Sequence, residues 1–369
     1  MSASRIRILE DGALEIVDPR WEDAELLRAL DPGYEVRSEP LEGFTGPRFQ
    51  SMRDFGCGYA TAEIEPAPLD RLWAMHNYAL DAWRRSEAAV CASGEQSILA
   101  LKCEIARRLL RRCVLCARRC GVDRTAGDRG FCGLDAEAIL AESFVHIGEE
   151  PPINPSHVIS LAGCGLRCRF CQQSSLLFPE ARSRTPLNRQ TWETVDTGLA
   201  RSISFLGGNP DESAPAILDF LHSAPSQFSL PVVWNSNAYS SPETLALLDG
   251  VVDVYLPDLK YADDACAKRW SNAEGYYQAA QGAIRTMTEQ GVLVIVRILL
   301  LPGHLECCHL PALEFLARLP RLPLVSLRGQ YSPDWRIADR DGRMASRLPA
   351  EELARAGAAV RALGLALIE

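Results

Sequence analysis

"HVISLAGCGLRCRFC" (residues 157–171) is an apolar run that ends in three closely spaced cysteines, Cys164, Cys168 and Cys171. Three thiols on so short a loop leave one unpaired and would strain any disulfide. They suit a metal instead, and the run ahead of them reads as a strand. Working outward, further strand candidates are "SISFLG" (202–207), "PVVWNS" (231–236), "VVDVYLP" (251–257), "VLVIVRILL" (292–300) and "PLVSLRG" (323–329). Helical stretches separate them near 189–199, 212–223, 242–249, 275–290 and 306–318, with a last one near 350–363. Ser241 and Pro242, with Glu243 in the first turn, are sound start signals for one of these. Strands alternating with helices imply βαβ units and a parallel sheet. The alternation fits an open doubly wound sheet or an incomplete (β/α) barrel, and the reading adopted is a partial (β/α)6 barrel.

Upstream the character changes. Residues 1–66 hold short strands such as "ALEIVD" (13–18), and residues 67–112 read as two helices. In the second, Ile98, Leu101, Ile105, Leu109 and Leu110 form one apolar stripe, a core-facing pattern. The expected organisation is an α+β extension or cap over 1–110, a Cys-rich metal-binding segment and linker over 111–150, and the barrel over 151–369. "EEPPINPS" (149–156) reads as the linker.

Composition narrows the class. Lys plus Arg number 39 against 48 Asp plus Glu, a net charge of -9 over 369 residues, so no overall basic field for nucleic acid exists. The first twenty residues show no signal peptide, and the longest apolar stretch, "GVLVIVRILLLP" (291–302), is too short for a bilayer and contains Arg297. The expectation is a soluble cytoplasmic protein with no membrane or nucleic-acid partner. Thirteen cysteines are many for a reducing compartment. Beside the 164–171 group stands "CVLCARRCGVDRTAGDRGFCG", with Cys113, Cys116, Cys120 and Cys132. Cys57, Cys91, Cys103, Cys266, Cys307 and Cys308 are scattered and read as packing thiols.

In α/β folds of either kind, reacting groups collect at the carboxyl ends of the strands. Cys164, Cys168 and Cys171 follow the first strand, and Gly207, Gly208, Asn209 and Pro210 the second. Asn235 and Asn237 close the third, Asp258 and Lys260 the fourth; Arg297 lies on the fifth, and Gln330 follows the sixth. Every polar oddity falls at one rim, which argues for an active site there. Three thiolates make an incomplete structural zinc site unless His157 supplies a fourth ligand. They equally hold a 4Fe–4S cluster with one iron open, and Phe170 beside the last cysteine suits an adenine pocket. For Asp258 and Lys260 the plain alternative is a surface ion pair. Arg297 inside an apolar strand requires a ligand or an acidic partner.

CX3CXφC after the first strand, with Gly-Gly-X-Pro after the second, resembles the signature of radical S-adenosylmethionine (SAM) enzymes. "VVWNSNAYSSPETLALLDGVVDVYLPDLKYADDACAKRWSNAEGY", "ILLLPGHLE", "GQYSP" and the four-cysteine segment are similar to the PflX-type relatives of pyruvate formate-lyase activating enzyme. The likeness runs from about residue 110 onward. It implies that Cys164, Cys168 and Cys171 ligate a 4Fe–4S cluster whose open iron holds the amino and carboxylate groups of SAM. It further implies that residues 207–210 meet the SAM amino group through backbone oxygens, and that Asn235, Asp258, Lys260 and Arg297 surround the ribose and carboxylate. One electron, from a donor such as flavodoxin or ferredoxin, would then yield a 5′-deoxyadenosyl radical for hydrogen abstraction. Asn209 departs from the family's usual Glu or Asp, and Ala238 from its usual Gly.

Two substrates compete: a small molecule or peptide, and a glycine of a partner glycyl radical enzyme. An extension closing a private pocket would favour the first. A non-catalytic metal-binding module is the reading from another class, and the rim residues argue against it. Cys113, Cys116, Cys120 and Cys132 supply four thiolates, enough for a second iron–sulfur cluster or a zinc ion.

Overall fold

The computed structural model describes residues 6–8, 14–16, 19–30, 34–85, 94–179, 185–333 and 335–368; Cys91 lies outside them. The amino-terminal part contains β1 (Ile6–Ile8) paired with β2 (Leu14–Ile16), then α1 (Ala24–Leu30) and α2 (Arg48–Asp54). It continues through β3 (Gly56–Ala60), α3 (Thr61–Ile64), α4 (Leu69–Arg84), β4 (Glu95–Ser97) and α5 (Ile98–Leu109). The stripe read on α5 is buried throughout, and Ser97 caps the helix by accepting from Ala100 N at 3.1 Å. The "EQS" ahead of that cap is strand β4, antiparallel to β3, rather than helix.

All six strands read from the sequence are present. They are β6 (Ser156–Leu161), β7 (Ser202–Gly207), β8 (Val232–Ser236), β9 (Val254–Pro257), β10 (Leu293–Leu299) and β11 (Leu324–Arg328), preceded by β5 (Leu140–His146). With β12 (Ala366–Leu367) they form one sheet in the unbroken order β5 to β12. Every pairing is parallel except β5 with β6. A doubly wound sheet reverses its strand order at a switch point; this one never does, which is the winding of a partial barrel. The sheet is therefore wider than six strands. β5 escaped the sequence reading because "LAESFVH" lies inside the stretch taken as Cys-rich segment and linker.

The helices between strands are α6 (Ala214–His222), α7 (Pro242–Leu248), α8 (Asp264–Ser271), α9 (Tyr276–Glu289), α10 (Leu310–Ala317) and α11 (Ala350–Ala362). Between β6 and β7 the expected helix over 189–199 is only a 3-10 segment, Arg189–Thr194. The β-branched Thr191, Thr194 and Val195 disfavour helix, and Asp196 diverts the chain by accepting from Gly198 N and Leu199 N, both at 2.9 Å. The helix expected at 306–318 begins as a π-turn, Leu305–His309. Among the described residues no helix is long and apolar enough to cross a membrane.

The described helices of the extension do not cap the strand ends that carry the cysteines. Its helices pack on α6 and α7, with Arg53 Nη1 donating to Ala224 O (2.7 Å) and Arg48 N to Asp253 Oδ1 (3.1 Å). Arg84 pairs with Asp249 and Gln50 donates to Phe228 O. These partners precede β8 and β9, so the contacts lie toward the opposite ends of the strands. Within this interface Lys102 is fully buried, its Nζ 2.9 Å from His76 Nε2 and 3.1 Å from Ala246 O. Burial, offset in part by Asp249, lowers the Lys102 ammonium to about 7, and burial and then Lys102 lower His76 to about 3.

A depressed lysine pKa means that the folded chain binds fewer protons than the unfolded one above pH 7, so this residue's contribution to stability rises with pH toward the unfolded pKa. Lys102→Met removes that dependence. The stability of Lys102→Met relative to the parent should fall by up to about 1.4 kcal/mol per pH unit between pH 7 and pH 10, in urea unfolding at matched ionic strength. A flat difference would show that Lys102 keeps its charge in the folded protein.

Candidate active site

One cavity of about 360 Å³ collects the rim residues. Cys164, Cys168, Phe170, Cys171, Gly207, Gly208, Asn209, Asn235, Asn237, Asp258, Lys260, Arg297 and Gln330 all line it. Pro210 is buried behind its turn and does not. His157, the conceivable fourth metal ligand, sits at the far end of β6; its Nε2 meets Ser143 Oγ at 2.9 Å and its Nδ1 accepts from Asp196 N at 3.1 Å. It cannot join the three thiols.

The loop after β6 and the turn after β7 touch backbone to backbone. A Cβ on Gly208 would lie 2.0 Å from Gly163 O, and one on Gly207 would lie 2.3 Å from Leu161 N and O. Gly207 also has φ +117°, so both positions require glycine. Asn209 locks the next turn: its Nδ2 donates to Glu212 Oε2 (2.6 Å), and its Oδ1 accepts from Asn237 N (2.9 Å). Asn237 in turn directs Nδ2 at Cys164 Sγ, 3.6 Å away. Ala238, where the resemblance expects Gly, has φ +58°, the left-handed conformation that glycine adopts without penalty.

The sulfurs have donors aimed at them. Leu166 N is 3.4 Å from Cys164 Sγ, and Ser271 Oγ donates to Cys168 Sγ at 3.0 Å. Burial, then Glu212 and Cys168, push the Cys164 thiol well up; burial raises Cys168, opposed by Lys260 and Ser271. Buried thiols supplied with donors suit thiolates that a metal centre neutralises. The three sulfurs are absent from the one described trio whose ligand atoms all lie within 4.8 Å of one another. One zinc with bonds of about 2.3 Å needs its sulfurs about 3.8 Å apart, so the donor set fits a multi-iron cluster better than a single ion.

Asp258 and Lys260 do form an ion pair, at 2.7 Å, but on the cavity wall. Burial works against the Lys260 charge, yet Asp258, with Cys168 and Tyr276, more than offsets it and holds the ammonium above its usual range. Phe170 and Tyr331 face each other at 5.8 Å across the wall. Arg297 finds its partners within the protein: it contacts Glu149, and Glu150 at 2.5 and 2.7 Å, while Arg328 reaches Glu150 at 2.6 Å. Burial opposes both carboxylate charges, but Arg297 outweighs it and holds Glu149 and Glu150 below their usual range. The sequence reading took "EEPP" for a linker; adjacent acids ahead of a proline pair were the available signal. Glu142, Phe144 and His146 of β5 complete this side, braced by Arg20, which pairs with Glu142 at 2.6 Å and lies 4.1 Å over the Phe144 ring.

Beside the cavity, Cys113, Cys116, Cys120 and Cys132 line a separate space of about 10 Å³ together with Glu212. Glu212 Oε1 is buried without a hydrogen-bond partner. Burial and then Asp211 raise this carboxyl to about 7. A Cβ on Gly165 would lie 2.5 Å from Glu212 Oε1 and 3.4 Å from Cys116 Sγ, so the carboxyl stands where the two cysteine groups adjoin.

A family model described as the radical SAM superfamily matches residues 158–316, from β6 to α10. The chain is 31% identical over 287 residues to the uncharacterized protein MJ0674 of Methanocaldococcus jannaschii, covering 75% of this chain and 83% of that protein. Among solved structures it is similar to a domain of pyruvate-formate lyase-activating enzyme from Bacteroides vulgatus, at TM-score 0.32 and 19% identity over 37% of this chain and 80% of that one. It is also similar to Streptococcus suis SuiB bound to S-adenosylmethionine, at TM-score 0.39 and 16% identity over 55% of this chain and 47% of that one.

Arg297→Met removes the shared partner of two buried carboxylates, leaving Glu150 with Arg328 and Glu149 with His146, and should destabilise the protein by about 3 kcal/mol at pH 7. In the parent, the depressed pKa values mean that the carboxylates' contribution is present above their unfolded pKa and lost as pH falls through the folded one. In the variant, burial without the guanidinium favours protonation, so the deficit should shrink as pH falls toward 5. Denaturant unfolding at both pH values measures this, and an equal deficit at both would contradict the ion network.

Proposed function

The chain belongs to the radical SAM superfamily, and on that premise we propose that it takes a hydrogen atom from a small-molecule or peptide substrate by SAM-dependent radical chemistry. Membership implies a 4Fe–4S cluster and SAM as cofactors; when bound, they supply one electron and, by cleavage of SAM, a 5′-deoxyadenosyl radical. The observation that carries the reading is the convergence of the three cysteines, the double-glycine turn and the Asp258–Lys260 pair on one cavity.

Cys164, Cys168 and Cys171 hold the cluster, with Asn237 and Ser271 donating to two of the sulfurs. The Gly207–Gly208 turn brings bare backbone to the place of the SAM amino group. Asn235, Asp258 and Lys260 supply polar contacts for ribose and carboxylate, Gln330 a further one, and Phe170 with Tyr331 an apolar wall for the adenine. Arg297, satisfied by Glu149 and Glu150, acts by holding the β10 wall to the chain ahead of β6. The substrate occupies the β5 side, against Phe144 and His146. The protein's part is to orient these groups and exclude water. An electron donor of the flavodoxin or ferredoxin kind reduces the cluster.

A second reading, activation of a partner enzyme by forming a glycyl radical on it, gains from one observation. Among the described residues before Glu142, none lines the cavity, so these residues leave the rim accessible.

For the four-cysteine group we propose a bound metal, a structural zinc or a second iron–sulfur cluster. Its support is the convergence of four cysteines on one small space beside the cavity.

Replacing Cys164, Cys168 and Cys171 together with Ala should abolish 5′-deoxyadenosine formation by the reduced, anaerobically reconstituted protein while its circular dichroism stays that of the parent. Retained SAM cleavage would sink the assignment. Metal analysis of the same variant reads the second group by difference: metal that is lost in a further Cys116→Ser/Cys132→Ser variant is expected, one zinc per chain for a structural site or about four irons for a second cluster. No loss of metal would leave the group as packing only.

A further inference from the structure

Cys266 lies 41 residues from Cys307 and its neighbour Cys308, and in sequence all three read as packing thiols. The fold assembles them. Cys266 Sγ lies 3.9 Å from Cys307 Sγ, and Cys307 Sγ 3.7 Å from Cys308 Sγ, with all three sulfurs within 4.8 Å of one another. Three ligands on one ion with bonds of about 2.3 Å stand about 3.8 Å apart in tetrahedral and about 4.0 Å apart in trigonal geometry. The two shorter separations already match.

Two local devices create this trio. Asp263 caps α8 by accepting from Cys266 N at 2.8 Å, which fixes Cys266 in the first turn. Leu305–His309 is a π-turn, with His309 N reaching back five residues to His304 O at 3.2 Å. In an α-helix adjacent side chains diverge by about 100°, and the wider turn lets neighbouring Cys307 and Cys308 meet one partner. His309 anchors the turn by accepting from Leu301 N at 2.9 Å. Access is open: Cys308 is buried, Cys266 half-buried and Cys307 exposed, and a cavity of about 280 Å³ lined by Cys266, Trp270 and His304 adjoins them.

We propose that Cys266, Cys307 and Cys308 bind one soft d10 cation, zinc(II) or copper(I), as a three-thiolate site. Thiolate-only donor sets select such ions. The ion ties α8 to the turn after β10. α8 ends in Trp270 and Ser271, whose carbonyls accept from Arg169 N (2.8 Å) and Arg167 N (2.9 Å) of the cysteine loop, and Ser271 Oγ contacts Cys168. The site is thus a clamp behind the loop.

The test compares the cluster-loaded full-length parent with Cys266→Ser/Cys307→Ser, which alters only the two solvent-facing thiols. Both are titrated anaerobically, under reducing conditions, with zinc alone and separately with copper(I) alone against a competing chelator. The parent should bind one more ion per chain than the variant. Its thermal midpoint should rise on loading while the variant's does not, and the two should hold equal iron. Stronger retention of zinc or of copper identifies the ion. Equal stoichiometry in both proteins, or a Cys266–Cys307 disulfide found by mass analysis in a parent that takes up no ion, overturns the proposal. Because iron content is read separately, failure here is distinguishable from failure of the radical SAM reading. Cys307→Ser alone, at the exposed position, should weaken binding at least tenfold and guards against misfolding of the double variant.

Discussion

The architecture turns on a contact with no side chains in it. Gly208 packs against the Gly163 carbonyl so closely that one added carbon would overlap it, and β6 and β7 are held in register up to that point, Leu161 opposite Gly207. Everything at the rim is referenced to this approach. It fixes where Cys164 leaves the sheet, where Asn209 can reach Asn237, and hence where Asn237 can reach the sulfur. A methyl group at Gly208 would not merely cost packing energy; it would uncouple the cysteine loop from the two turns that position its donors. Backbone contact also leaves the cavity polar without spending a charged side chain there.

Much of this was legible beforehand because parallel strands buried on both faces are long apolar runs, and the residues that end them stand out. The six barrel strands and the rim set, Pro210 excepted, follow from that single regularity. What stayed hidden is also explicable. β5 pairs antiparallel at the edge, has its apolar run broken by Glu142, Ser143 and His146, and borrows no signal from a βαβ unit. The apolar stripes of α4 and α5 announce a buried face but do not say which face of which neighbour covers it, so a cap and an outer buttress look alike in sequence. Glu149 and Glu150 look like solvated linker charges until Arg297 and Arg328 are brought to them from strands roughly 150 and 180 residues away. Proximity of Cys266 to Cys307 is of the same kind: no local pattern encodes it.

Lys102 and Arg297 illustrate two ways of burying a cation. Arg297 has two carboxylates in contact and keeps its charge. Lys102 has a neutral imidazole and a carbonyl in contact, with Asp249 acting from farther off, and its ammonium is correspondingly easier to deprotonate. One sits at the cavity rim and the other between the extension and the barrel; both contributions to stability rise with pH, the first across the carboxylate range and the second above about pH 7.

Among the described residues, the charged groups around the cavity sum to almost nothing. Glu149 and Glu150 balance Arg297 and Arg328, Asp258 balances Lys260, and Glu142 balances Arg20. Paired opposite charges leave only dipoles, whose potential decays far faster with distance than that of a monopole. From a Debye length away these pairs therefore contribute little, although the molecule as a whole carries -9. A substrate gains little long-range guidance from this wall, and what selects it must act at contact, through shape and hydrogen bonds.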